Sequence, residues 1–123
     1  MPRSTGLRKV LVIEDNFIVM YLVIREAIAQ DRVELVWAQT LEEAEDAYNF
    51  YSHRLAAIVF DGHVPDKNHT TVALAQRVKE SGFEGPMICS SAHQLVSEEL
   101  RAAGCQFTCS KYEILSCPLA LIL

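Results

Sequence analysis

The chain lacks several things whose absence narrows its function. No apolar run approaches the roughly 20 residues needed to span a bilayer, and the opening "MPRSTGLRKVLVIEDN" offers only the short run Val10–Ile13 before acids intervene. A secretory leader and a membrane anchor are therefore not expected, and the reading is cytoplasmic with no membrane partner. Basic excess is missing too: the formal net charge is −5, with no basic patch along the chain, so direct nucleic-acid binding is not expected. The four cysteines, Cys89, Cys105, Cys109 and Cys117, include no CxxC pair. They read as buried reduced thiols rather than a disulfide framework or zinc site. His53, His63, His69 and His93 likewise show no zinc-finger spacing. Low-complexity tracts and internal repeats are absent as well.

What remains is the composition of one folded domain. With 123 residues, 50% hydrophobic and 22% charged, the chain can build one core, burying about two thirds of the surface its unfolded form exposes. Short apolar runs alternate with segments of helical period, the pattern of repeated strand–helix units and a parallel sheet. Strands are predicted at 9–13, 33–37, 56–60, 86–90 and 106–110. Helices are predicted at 16–29, from Thr40 through the following segment, at 69–81 before Gly82, and at 94–103 before Gly104. The first, "NFIVMYLVIREAIA", is apolar almost all round and is expected to be heavily buried, capped by Asn16 or Asp15. Thr40 and Glu43 have capping-box spacing. The ending "YEILSCPLALIL" implies a short or altered last helix, interrupted by Pro118.

Acids sit where such strands end. "KVLVIEDN" leads from an apolar run into Glu14 and Asp15, and "AAIVFDGHVPD" into Asp61. In an open parallel sheet with helices on both faces, the carboxyl ends of the strands line one edge, and ligands bind there at the reversal of strand order. If strands one and three are neighbours, three carboxylates converge, and their repulsion calls for a cation. Magnesium takes oxygen ligands, a few carboxylates plus water, and often phosphate oxygen. Taken singly, each acid is more simply a helix or turn cap. Further along, "PMICSSA" places Ser90 and Ser91 at the fourth strand end and "FTCSK" places Lys111 at the fifth. A hydroxyl and an ammonium facing a metal-bound carboxylate suit a phosphoryl group.

With these residues in this order, the chain resembles the receiver domain of two-component response regulators from about Arg8 to Lys111, as a single domain over 8–123. The matching positions are the acidic pair Glu14 and Asp15, the phospho-accepting Asp61 followed by Val64 and Pro65, Ser91 before Ala92, and Lys111. The resemblance implies a doubly wound five-stranded parallel sheet of order 2-1-3-4-5. It further implies Mg²⁺ held by Glu14, Asp15, Asp61 and the backbone carbonyl of His63. Asp61 would take a phosphoryl group from a histidine kinase or histidine phosphotransfer protein, with Lys111 pairing with a phosphoryl oxygen and Ser91 moving to bond another. That movement is the switch, read by an unknown downstream protein. Such a domain catalyses its own phosphorylation and is not a turnover enzyme.

Departures from the family pattern set the competing reading. Thr108 stands where an aromatic usually lies, and Phe107, one residue away on a strand, should face the opposite side. Tyr112 replaces the usual Pro, so a trans peptide is expected there. His69 stands in place of Gly. His63 and His93 border the phosphate position, either tuning its lifetime or lying as exposed loop residues. A pseudo-receiver that binds a partner without phosphorylation is the alternative, favoured by Thr108 and Tyr112. A Mg²⁺-dependent phosphatase using Asp61 as nucleophile lacks an evident general acid, and a flavin module lacks a phosphate-cradling loop. The apolar "CPLALIL" ending either joins a homodimer interface or folds back on its own core.

Overall fold

The computed structural model describes residues 8–30, 33–61, 71–90 and 94–109. In chain order they form β1 (Arg8–Ile13), α1 (Phe17–Gln30), β2 (Val33–Ala38), α2 (Leu41–Tyr51), β3 (Leu55–Phe60), α3 (Val72–Glu80), β4 (Met87–Cys89), α4 (Gln94–Ala103) and β5 (Phe107–Thr108). The strands make one five-stranded sheet in the order β2-β1-β3-β4-β5, and every pairing is parallel. This is the architecture the alternation of strands and helices predicts.

Both faces of the sheet are covered, which is why the strands read as continuous apolar runs rather than as alternating ones. Leu11, Ile13, Ile58, Phe60, Met87 and Cys89 point to the side of α2, α3 and α4, where Tyr48, Leu74, Val78 and Leu100 close the core. Their neighbours Val10, Val12, Ala57, Val59 and Ile88 point to the other side, against Val19, Met20, Val23 and Ala27 of α1. The period-2 alternation of a strand sorts one apolar run into two half-cores.

Local chemistry sets the helix ends. At α1 it is Asn16, not Asp15, that caps: its Oδ1 accepts from the N–H groups of Ile18 at 2.8 Å and Val19 at 3.1 Å. At α2 the Thr40 hydroxyl accepts from Glu43 N–H at 3.1 Å, while Glu43 reaches back to Gln39 N–H at 2.7 Å. The box is thus closed one residue earlier than its usual form, in which the N-cap N–H is the donor. α4 stops at Gly104, whose φ of +133° is open to glycine and costly for other residues; the N–H groups of Gly104 and Cys105 both turn back to Leu100 O.

Two expectations are corrected. α1 is not buried all round: a single stripe meets the sheet, and Phe17, Ile18 and Tyr21 are 67%, 69% and 60% exposed. A helix lying on a sheet can bury only the stripe that touches it, whatever the hydropathy of the remainder. The two last strands are also shorter than predicted. β5 pairs with β4 through two residues, and just before that ladder the Gln106 side chain accepts the Met87 N–H at 2.8 Å, a side-chain bond standing in for a rung. The expected last helix, with Tyr112 and Pro118, lies outside the described residues.

A candidate phosphoryl-acceptor site

The chain passes from β1 to β2 on one side and then returns past β1 to β3 on the other. Strand order reverses between β1 and β3, the place where such sheets bind ligands at their carboxyl edge. Backbone pairing continues one residue beyond the strands there. Glu14 N–H donates to Ala38 O at 2.9 Å, Asp61 N–H to Ile13 O at 3.0 Å, Ser90 N–H to Phe60 O at 2.9 Å and Cys109 N–H to Cys89 O at 2.9 Å.

The register pairs Ile13 with Phe60, Phe60 with Cys89 and Cys89 with Thr108. One step on, Glu14, Asp61, Ser90 and Cys109 therefore form a row, and alternation puts that row on the α1 face. Glu14, Asp15 and Asp61 each offer a carboxylate oxygen, all within 4.8 Å of one another. Glu14 and Asp61 are buried, at 1% and 5% exposure, while Asp15 is exposed. The predicted convergence of the acids is thus present.

The acidic strand ends are held from several sides. Glu14 Oε2 accepts Asn16 N–H at 3.1 Å. Its backbone carbonyl accepts the Trp37 indole N–H at 2.7 Å, so β2 pins the acidic turn from outside; the Phe17 ring stands edge-on to Trp37 with centroids 5.5 Å apart. Thr71, fully buried, spends its hydroxyl not on capping α3 but on the backbone carbonyl of Asp61, at 2.8 Å. That bond ties the start of α3 to the end of β3. Trp37 and Thr71 were not singled out from the sequence. The signals available were a lone tryptophan at a strand end and a hydroxyl just ahead of a helix, and neither names its partner.

Oxygen-only donors, two of them buried and one open to water, fit a hard divalent cation that keeps part of its hydration, as Mg²⁺ does. They do not fit a softer metal that prefers nitrogen or sulfur. Of the other residues named from the sequence, His63, His69, Ser91, His93, Lys111 and Tyr112 lie outside the described residues. Thr108 is described: it is exposed and paired with Cys89. Phe107 pairs with Ile88, one of the residues facing α1, so the two neighbours do face opposite sides as the alternation predicts.

Solved structures share this fold. The signal receiver domain of the response regulator NarL from Mycobacterium tuberculosis superposes with a TM-score of 0.75 at 17% identity, covering 95% of this chain and 97% of that one. The chemotaxis protein CheY4 of Vibrio cholerae gives 0.72 at 18% identity, covering 95% and 99%. The CheX–CheY–BeF₃–Mg²⁺ complex of Borrelia burgdorferi gives 0.72 at 15% identity, covering 97% and 92%. No protein-family model and no curated protein sequence matches the chain, so the likeness is one of fold. That fold is the CheY-like receiver domain of response regulators, and the chain spans nearly the whole of it.

Proposed function

We propose that this chain is a single-domain response regulator receiver, over residues 8–123, that accepts a phosphoryl group on Asp61 in a Mg²⁺-dependent reaction. The observation that carries the reading is the convergence of Glu14, Asp15 and Asp61 within 4.8 Å at the strand-order reversal of a receiver-type sheet. Glu14, Asp15, Asp61 and the backbone carbonyl of His63 hold the ion, which when bound supplies positive charge to the phosphoryl oxygens. An Asp61 carboxylate oxygen bonds to phosphorus as the P–N bond of a phosphohistidine breaks, leaving its electron pair on the imidazole nitrogen. Lys111 pairs with one phosphoryl oxygen and Ser91 hydrogen-bonds another, and the new charge biases the loop and helix surface that a downstream protein reads. The product stays on the protein, so this is signalling rather than turnover.

The donor is a histidine kinase or histidine phosphotransfer protein. Phe17, Ile18, Tyr21 and Ile24 form an exposed apolar stripe starting directly after the acidic turn, and a donor seated on it holds its phosphohistidine beside the carboxylates. Among the described residues no helix is long and apolar enough to cross a membrane, which accords with a cytoplasmic role. A homodimer through the apolar ending is the companion proposal, and a monomer by light scattering at tens of micromolar overturns it.

The exposed Thr108, in place of the family's usual aromatic, favours a second reading, a pseudo-receiver that works unphosphorylated. One experiment separates the two. Acetyl phosphate or beryllofluoride is added with and without Mg²⁺, and intact mass or ¹⁹F signal is followed. Metal-dependent modification that disappears in Asp61→Asn supports the receiver; an unmodified wild-type protein supports the pseudo-receiver.

A further inference from the structure

Ser90 stands beside Asp61 in the row at the carboxyl edge, on the neighbouring strand end. It is 1% exposed, and its Oγ has no hydrogen-bond partner among the described residues. Its backbone is fixed by the bond from Ser90 N–H to Phe60 O at 2.9 Å. A buried hydroxyl without a partner is costly, and buried polar groups in folded proteins are nearly always satisfied. An alanine would fill the same place without that cost. A bound group that accepts from this hydroxyl would remove that cost.

We propose that Ser90 is a donor reserved for the phosphoryl group on Asp61, in addition to the neighbouring Ser91. The row places Ser90 on the side of Glu14 and Asp61. Its O–H bonds to neither carboxylate of the row; with a phosphoryl oxygen in the space beyond the Asp61 carboxylate it makes a charge-assisted bond inside a water-poor site. The orphaned hydroxyl destabilises the unmodified protein and stabilises the modified one, which widens the gap between the two states.

This inference rests on the receiver reading, and the test separates them. Wild type, Ser90→Ala and Asp61→Asn are compared by thermal melting without ligand and by titration with beryllofluoride in saturating Mg²⁺. The expected result is that Ser90→Ala melts higher than wild type without ligand, yet binds beryllofluoride about tenfold more weakly, the loss of one such bond. If wild type itself binds no beryllofluoride, the receiver reading falls first. If wild type binds and Ser90→Ala binds equally well, Ser90 has no role toward the phosphoryl group. If Ser90→Ala melts lower without ligand, the hydroxyl already serves the unmodified state, and the proposal is overturned.

Discussion

Replacing Asp61 by Asn removes one negative charge from a cluster whose oxygens lie within 4.8 Å of one another, while keeping the side chain's shape. At that separation, two unit charges repel by about 0.9 kcal/mol at the dielectric constant of water and by about 3.5 kcal/mol at an effective value near 20. The exposed Asp15 belongs near the first limit and the buried Glu14 near the second. Part of this repulsion is already offset by other interactions of Glu14 and Asp61, so a relief of about 2 kcal/mol is the working expectation. For 123 residues, an unfolding entropy of about 2.1 cal/mol/K per residue makes each kcal/mol worth roughly 4 °C.

Asp61→Asn should therefore melt about 8 °C above wild type in EDTA. Wild type should gain about 5 °C when Mg²⁺ is raised to ten times its dissociation constant, because ligand binding then adds about 1.4 kcal/mol, and the variant should gain almost nothing. Circular dichroism melts of both proteins, with and without Mg²⁺, supply all four numbers. A variant that melts at or below wild type in EDTA, or one that responds to Mg²⁺ as wild type does, refutes the idea that these carboxylates form one strained cation site.

Three further outcomes follow from named contacts. Thr71→Val deletes the hydroxyl bonded to Asp61 O with little change of shape; it should cost about 1 kcal/mol, lower the melting temperature by about 4 °C and weaken Mg²⁺ binding, whereas Thr71→Ser should keep the metal affinity. The fluorescence of Trp37, the single tryptophan, should change on Mg²⁺ addition through its bond to Glu14 O; the change should vanish in Asp61→Asn, and a flat titration of a protein shown by melting to bind Mg²⁺ refutes the coupling. Burial, assisted by neighbouring Cys89, pushes the Cys105 thiol from 9.0 up to about 12. Because the folded state holds this proton more tightly, stability should be intact below pH 9 and fall as the pH rises toward 12; urea titrations at pH 8 and 10.5 should show that fall, and Cys105→Ala should flatten it.

The strand ends were the most readable part of the chain. Val10–Ile13 and Leu55–Phe60 are apolar without interruption because helices cover both faces of the sheet, so the first charge after each run marks where the apolar strand gives way to the carboxyl edge. Gly82 and Gly104 marked the ends of α3 and α4 for an equally local reason, positive φ. The bare side of α1 was not readable, since hydropathy reports what a helix could bury and not what lies beside it. Nor were the Trp37 and Thr71 bonds, which join residues 23 and 10 positions apart and depend on how the sheet is assembled. The sequence named Ser91, which lies outside the described residues, for the site and gave Ser90 no role; the burial of Ser90 and its place in the row beside Asp61 emerge only once the strands are paired.

The row at the sheet edge turns strand length into a ruler. Adding a single residue within Leu55–Phe60 would carry Phe60 into the place of Asp61 and rotate the acid toward the opposite layer, because neighbouring positions on a strand alternate sides. The count of residues along β1 and β3 is fixed by the need to deliver oxygen atoms to one point.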